Sequence, residues 1–385
     1  MPETIRVLML PSWYPTPEAP LLGTFYREQA QAMAARGAQV TVAYVNVGDD
    51  FRPSHNGITY TCDDGVHTYV YKRPNLTPRW ERGRCFQRTR MLEKLYRRIE
   101  REQGRPDVVN LRSSLLGYEA LSLCEAHDLP LFFMEHSSFV ITEPDGSPMR
   151  RRLCAVMEKA AVNACVSTAL KRVMAPFGET RVIPDMVDTG RFRQLPAPAQ
   201  DEVFVFRAMG QLRPIKGYDT LIRAFIRLRE LTDRPVRLEI AGVGGLREDL
   251  QGLIDAGGAG DGCRLVGAVP RDEVPAFMNG CGCFVCSSRT ETLSCVLNEA
   301  AACGKPVIST RCGGPEDIVT EETGLLVPVG DVEALAGAML RMLDTAADYD
   351  PQRIRELTVS RFGVETVCAQ LLAACREAAQ TKRKD

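Results

Sequence analysis

Tryptophan occurs only twice and histidine only four times in these 385 residues, and no long uncharged apolar run is present. The last absence excludes a membrane-crossing helix of ordinary length. The chain enters the strand-like Ile5-Arg6-Val7-Leu8-Met9-Leu10 without a cationic leader and cleavage site, so residence in the cytoplasm is expected. Metal-ligand spacing is missing too. The nearest cluster, Cys281, Cys283 and Cys286, lies in a run that reads as a core strand, where alternate side chains face opposite ways; no metal is expected there. The fourteen cysteines are scattered, mostly within apolar runs, and read as buried free thiols. Neither sign of charge dominates, since the net charge is −1, and with no recognition motif or aromatic stacking platform nucleic acid is not an expected partner. What remains is ordinary globular composition, 45% apolar and 25% charged, in a chain longer than one core usually supports. Two domains are expected.

The most informative stretch runs from Val285 to Thr310. A short apolar run ending near Cys286 predicts a buried strand, Leu293 to Cys303 predicts a helix, and Pro306 to Ser309 predicts another strand. Such a unit builds a parallel sheet, and it carries two carboxylates, Glu291 and Glu299. Were both helical, they would share a face roughly 12 Å apart along the axis. The expected place for Glu291 is instead the loop just before the helix, at the carboxyl end of the strand, where ligands of open α/β sheets bind. Glu299 stands among apolar residues, where a charge needs a partner or a ligand hydroxyl.

Elsewhere strands and helices alternate. Ile5–Leu10 predicts a strand, Phe25–Arg36 a helix closed by Gly37, and Gln39–Val45 a second strand, with a proline-rich connection from Pro11 too long to be a mere link. Val108–Leu111 and Leu131–Met134 predict buried strands; Glu135-His136-Ser137-Ser138 follows the latter at a carboxyl end. Further on, Gly210-Gln-Leu-Arg-Pro-Ile-Lys-Gly sits between a strand, Val203–Ala208, and a helix, Tyr218–Leu231. A strand, a glycine, basic residues and a helix start together describe an anion site, and the missing Gly-Lys-Ser/Thr separates it from a Walker loop. Gly242-Val-Gly-Gly245 reads as a tight turn, Asp331 as the cap of a helix reaching Leu343, and Val364–Ala379 as a last amphipathic helix.

Ser-Arg-Thr-Glu291, then Glu299-Ala-Ala-Ala-Cys-Gly-Lys-Pro-Val-Ile, resembles the signature of the retaining, nucleotide-sugar-dependent glycosyltransferases of family 4 with the GT-B fold, and the likeness extends over nearly the whole chain. The resemblance implies an α/β architecture of two doubly wound Rossmann-like domains facing across a cleft. The first would span 1–195, rejoined by 360–385, and hold the acceptor; the second, 196–359, would bind the donor, with Pro196-Ala-Pro-Ala as linker. It implies that Gly23 brings backbone amides to the donor phosphate, that His136 contacts the donor sugar near its reacting carbon, and that Lys216 grips the pyrophosphate. Gln211 stands where the family carries an arginine, and Arg213 lies two residues on. Glu291 with Thr292 and Leu293 would lie beside the donor sugar, Glu299 would hold the ribose hydroxyls, Gly267 would lie in the segment contacting the base, and Gly314 in the glycine loop near the sugar. No cofactor or metal is implied; the donor is itself the substrate.

The function implied is transfer of a hexose-type sugar from a nucleoside diphosphate to a saccharide or lipid-linked acceptor in cell-surface polysaccharide synthesis. Two rivals share the fold: a nucleotide-sugar epimerase, which needs no acceptor, and a non-catalytic sugar-nucleotide binding protein. A Rossmann dehydrogenase has the weakest support. One segment stands outside this scheme. From Arg79 to Arg105 ten basic residues face four acidic ones, with Phe86, Leu92, Leu95, Tyr96 and Ile99 on one helical face and Arg88, Lys94, Arg97, Arg98 and Arg101 on the other. The plain reading is a solvated helix; the functional one is peripheral contact with anionic lipid at the inner face of a membrane, or with an anionic acceptor.

Overall fold

A computed structural model describes residues 4–20, 22–48, 56–76, 80–196 and 203–381. The chain forms two compact units, the first comprising Met1–Pro184 with Val367–Asp385, the second Asp185–Thr366.

The first unit is built on an eight-stranded sheet of β1 (Arg6–Leu10), β2 (Gln39–Gly48), β3 (Gly57–Asp63), β4 (Val66–Pro74), β5 (Val108–Leu111), β6 (Leu131–Glu135), β7 (Val162–Cys165) and β8 (Arg181–Val182), in the order β3-β4-β2-β1-β5-β6-β7-β8. All pairings are parallel except β3 with β4. The central strands β1, β5 and β6 are buried along almost their whole length, as expected of a sheet covered on both faces. Its helices are α1 (Thr24–Ala34), α2 (Glu81–Gln103), α3 (Gly117–His127), α4 (Phe139–Thr142), α5 (Pro148–Lys159) and α6 (Thr168–Met174).

The β3–β4 hairpin escaped the sequence reading, although its turn is written in the chain. Asp64 and Gly65 both have positive φ, 49° and 76°, and Asp63 pairs with Val66, so a two-residue turn of the primed kind joins the strands. β3 is an exposed edge whose Ile58, Tyr60 and Cys62 alternate with Thr59, Thr61 and Asp63, so it lacks the continuous apolar run of the buried strands.

The basic segment is the long helix α2, with Met91, Leu92, Leu95, Tyr96 and Ile99 buried. Two placements differ from expectation, and Arg79 lies outside the described residues. Phe86 is 62% exposed rather than part of the apolar face. Arg88 is not on an open basic face: its Nε donates to Glu119 Oε1 at 2.6 Å, and the Glu119 side chain is fully buried. A buried carboxylate demands a cation, and Glu119 on α3 draws Arg88 inward. Arg97 and Arg98 are also neutralised, by Glu93 and Glu102 one turn away.

The second unit has six parallel strands, β9 (Phe204–Met209), β10 (Val236–Ala241), β11 (Cys263–Gly267), β12 (Cys283–Cys286), β13 (Val307–Thr310) and β14 (Gly324–Val327), in the order β11-β10-β9-β12-β13-β14. The order reverses between β9 and β12, which places the topological switch point at their carboxyl ends. Its helices are α7 (Tyr218–Leu231), α8 (Arg247–Ala256), α9 (Val274–Asn279), α10 (Cys295–Ala302), α11 (Val332–Thr345) and α12 (Pro351–Phe362). Amphipathic α7 buries Leu221, Ile222, Phe225 and Leu228, each worth about 1.5–3 kcal/mol on transfer from water. Asp331 caps α11 by accepting from the Ala334 N–H at 2.9 Å.

The division between units falls at Pro184/Asp185 and Thr366/Val367, so residues 185–195 group with the second unit rather than the first. Arg355 on α12 holds that segment: its guanidinium donates to the Phe192 carbonyl at 2.7 Å and the Thr189 carbonyl at 2.8 Å. Of the Pro196-Ala-Pro-Ala linker, everything after Pro196 lies outside the described residues. The last helix, α13 (Val364–Thr381), groups from Val367 onward with the first unit, where Arg181 makes a two-pronged ion pair with Glu377, both bonds 2.6 Å.

Candidate active site

The expected site residues fall into two groups, Gly23 and His136 in the first unit and the others in the second. Gly23 starts α1 with φ 71° and ψ 26°, and a Cβ there would lie 2.6 Å from the Trp13 carbonyl oxygen, so only glycine fits. Among the described residues no side chain caps this helix, and its first turn has no acidic residue, so its positive dipole end suits an anion, although the Tyr26 N–H is taken by the Gly23 carbonyl. His136, buried at the end of β6, packs against the same turn: its ring centroid is 5.0 Å from Tyr26, edge-on, and 5.7 Å from Phe25. Glu135 fixes that loop. Its fully buried carboxylate accepts from the N–H groups of His136 and Ser137 at 2.9 and 2.8 Å, and from the backbone and hydroxyl of Ser114 at 2.9 and 2.5 Å.

In the second unit, two loops at the switch point lock together. After β9 the chain turns through Pro214–Lys216 into α7 by way of Gly217, whose φ is 62°. A Cβ on Gly217 would collide with the Ser287 carbonyl in the loop after β12, so the two loops touch backbone to backbone. Ser287 Oγ donates to the Lys216 carbonyl at 2.9 Å, the Arg289 N–H to the Ile215 carbonyl at 2.7 Å, and the Arg289 guanidinium to Pro214 and Asp219. At the centre, Lys216 Nζ lies 2.6 Å from Glu291 Oε1, which also accepts from Ser288 Oγ at 2.6 Å. Burial works against the Lys216 ammonium, but Glu291 and the neighbouring thiols outweigh it, and its pKa lies above the ordinary lysine value. Lys216 is therefore charged at neutral pH.

Glu291 does lie in the loop before the helix, as expected, where it bridges to Gly313 across the neighbouring strand's loop. Its carbonyl accepts from the Gly314 N–H at 2.9 Å, and a Cβ on Gly314 would collide with Leu293 and the Thr292 carbonyl. Thus Glu291, Thr292, Leu293 and Gly314 form one cluster. The helix α10 starts at Cys295 after Ser294, whose φ of 87° is unusual for a residue with a side chain and marks strain beside the site. Gln211 and Arg213 are exposed, and neither side chain makes a hydrogen bond or ion pair among the described residues.

Glu299 on α10 is buried and its partner is Arg271, whose Nη1 lies 2.6 Å from Glu299 Oε1. Arg271 stands in the turn after β11, over the Phe192 ring at 5.0 Å, so it joins the Gly267 segment to the Glu299 helix. Sequence reasoning required a partner for Glu299 and missed this one. The available signal was a basic residue just beyond the carboxyl end of a parallel strand. Gly267 ends β11 with φ 83° and accepts from the Gly242 N–H at 2.7 Å; Gly242 in turn abuts Gly210, so the expected tight turn is a close contact between the loops after β10 and β9.

Asn298, beside Glu299, is 2% exposed, and among the described residues neither polar atom of its side chain has a hydrogen-bond partner. An unsatisfied buried amide costs about 1–3 kcal/mol, whereas leucine has nearly the same shape. Asn298→Leu is expected to raise the melting temperature by a few degrees in calorimetry; a lower one would show that the amide is engaged.

Two parallel-sheet units, with cations and carboxylates gathered where the second sheet reverses its order, define a two-domain α/β protein of the GT-B class. The family model described as "Glycosyl transferases group 1" matches residues 191–356, and that described as "Glycosyltransferase Family 4" matches 22–191; the chain belongs to the group 1, family 4 glycosyltransferases. It is 31% identical over 225 residues to the GDP-mannose-dependent alpha-(1-6)-phosphatidylinositol monomannoside mannosyltransferase of Mycobacterium tuberculosis, covering 54% of this chain and 56% of that one. It is 33% identical over 207 residues to the lipopolysaccharide core biosynthesis glycosyltransferase LpsE of Rhizobium meliloti, covering 51% and 58%. The match thus spans little more than half the length of either relative. Among solved structures, the sucrose-phosphate synthase of Thermosynechococcus elongatus superposes with a TM-score of 0.78 at 21% identity over 97% of this chain and 98% of that one. Anabaena HepE in complex with UDP-glucose gives 0.73 at 17% identity, over 96% and 100%.

Proposed function

We propose that this protein transfers a hexose from a nucleoside diphosphate sugar to a saccharide or lipid-linked acceptor, with retention of anomeric configuration and without a metal ion. The observation that carries the reading is the Lys216–Glu291–Ser288 cluster at the switch point, with the Glu299 carboxylate on the same strand-to-helix connection. Breaking the anomeric C–O bond leaves negative charge on the departing diphosphate. Lys216 has three N–H donors, of which Glu291 takes one; the others are available to phosphate oxygens, and stabilising charge as it develops lowers the barrier. In the front-face route, the acceptor hydroxyl oxygen bonds to the anomeric carbon on the side the diphosphate leaves. Its proton passes to the leaving phosphate oxygen, so no side-chain nucleophile is required. The LpsE and mannosyltransferase relatives make cell-surface saccharides or glycolipids the favoured acceptors.

The test is a panel of UDP-, GDP- and ADP-hexoses, followed by calorimetry for binding and by release of nucleoside diphosphate. One donor is expected to bind and to be turned over at the same rate in EDTA. Loss of turnover in EDTA, restored by magnesium or manganese, would overturn the metal-free part. Epimer formation from donor alone would replace transfer by the rival reaction.

The same proposal places the protein peripherally on anionic membrane through α2. Among the described residues no helix is long and apolar enough to cross a membrane. Trp80, Leu76 and Phe86 are exposed beside Arg90, Lys94 and Arg101, a mixed apolar and basic surface suited to an interface. Each basic side chain contributes about 1 kcal/mol near such a bilayer. Arg88 is unsuitable for the test, because its removal would strand buried Glu119. Replacing Phe86, Arg90, Lys94 and Arg101 together with Gln is expected to abolish sedimentation with phosphatidylserine vesicles at low salt and to leave donor binding intact. If the unaltered protein ignores the vesicles, a soluble acceptor is the better reading.

A further inference from the structure

A groove of about 810 Å³ lies in the first unit between the loop 14–20, helix α1 and the β3–β4 hairpin. That is within the roughly 300–1,000 Å³ span of small-ligand clefts. Its residues are distinct from Gly23, His136 and the aromatic side chains around them. The pleat explains the floor. Thr59, Thr61 and Asp63 on β3 pair with Val70, Thr68 and Val66 on β4, so all six share one face. Arg27, one turn before Gln31 on α1, stands opposite, and prolines of the loop supply a rigid apolar rim. Two ties hold the loop over the sheet: Lys72 Nζ to Glu18 Oε2 at 2.5 Å, and the hydroxyls of Tyr14 and Thr68 at 3.4 Å.

Two side chains in this groove are unspent. Neither Arg27 nor Asp63 makes a hydrogen bond or ion pair among the described residues, although Arg27 is half-buried. The groove therefore offers a forked donor, a carboxylate acceptor and threonine hydroxyls, interleaved with the apolar surfaces of Val66, Val70 and the prolines. Its charges balance, Arg27 and Lys72 against Asp63 and Glu18, which disfavours a strongly anionic nucleotide. A ligand with alternating hydroxyls and C–H faces matches this pattern. We propose that the groove binds a saccharide, with Asp63 accepting from ring hydroxyls and Arg27 donating to ring or hydroxyl oxygens; on the transferase reading above, this saccharide is the acceptor.

The experiment uses the full chain with labelled threonine, isoleucine and valine methyls, titrated with maltose, cellobiose and mannobiose at millimolar concentration. At least one disaccharide is expected to shift the methyl signals of Thr59, Thr61 and Val70. Arg27→Ala and Asp63→Asn should each weaken that binding tenfold or more, with unchanged melting temperature and unchanged affinity for UDP and GDP. No shift with any disaccharide, or shifts that persist undiminished in both variants, would overturn the proposal. Sugar binding here in a protein that binds none of UDP, GDP and ADP would sustain the groove and sink the transferase reading. Nucleotide binding with a silent groove would do the reverse.

Discussion

Lys216→Ala is expected to lower turnover by about two to three orders of magnitude, the usual cost of removing a fixed donor aimed at developing charge. The effect should be large because the ammonium is held by Glu291 and by the two interlocked loops, so it needs no reorganisation when the phosphate bond breaks. Arg213→Ala should cost roughly tenfold or less. Its exposed side chain makes no contact among the described residues and must lose rotamer freedom to reach a phosphate. The measurement is steady-state nucleotide release with the chosen donor, alongside calorimetry and a melting curve for each variant. Equal or reversed losses would show that this chain has moved the phosphate contact to Arg213. A collapse in melting temperature for Lys216→Ala would make the pair structural instead.

The second large effect concerns Arg271. Its bond to Glu299 Oε1 fixes the plane of the carboxylate that, on the proposed reading, meets the ribose hydroxyls. Arg271→Ala should weaken nucleoside diphosphate binding about tenfold or more. Truncating one partner of a buried charged pair commonly costs about 2–5 kcal/mol, part of it as stability. Glu299→Gln removes a charge-assisted hydrogen bond, worth about 1.5–3 kcal/mol, and should weaken the same binding. The discriminating probe is a 2′,3′-dideoxy nucleoside diphosphate. If Arg271 acts through the ribose carboxylate, both variants lose affinity for the ribonucleotide and little for the dideoxy analogue. Equal losses for both probes would assign Arg271 to phosphate or base instead.

Much of this arrangement was legible in the chain. The helix Tyr218–Leu231 was bounded correctly because its amphipathic spacing is unbroken and Gly217 must stand outside it. The placement of Glu291 before α10 followed from strand geometry alone. What escaped notice depended on partners distant in sequence or on edge positions. Arg88 looks solvated by helical spacing, and only the fold brings it against Glu119 thirty-one residues away. Glu299 and Arg271 belong to different strand-to-helix connections. The proline-rich stretch at 196 has the composition of a boundary, yet Arg355, far along the chain, binds the preceding residues into the second unit. The β3–β4 hairpin was missed for another reason. Its Asp-Gly turn and the alternation of Ile58, Tyr60 and Cys62 with Thr59, Thr61 and Asp63 are both in the chain, but this exposed edge has no continuous apolar run of the kind that marks the buried parallel strands.

The contact of Gly217 with the Ser287 carbonyl bears on how this scaffold can be altered. The segment that would grip phosphate and the segment that would face the sugar meet with no side chain between them, so neither has room to adapt to a foreign counterpart. A chimaera that imports residues 286–292 from another transferase in order to change sugar preference should fold poorly unless residues 210–217 come from the same source. The two segments are a single transplantable cassette, and the heritable unit of donor choice in this protein is larger than either loop.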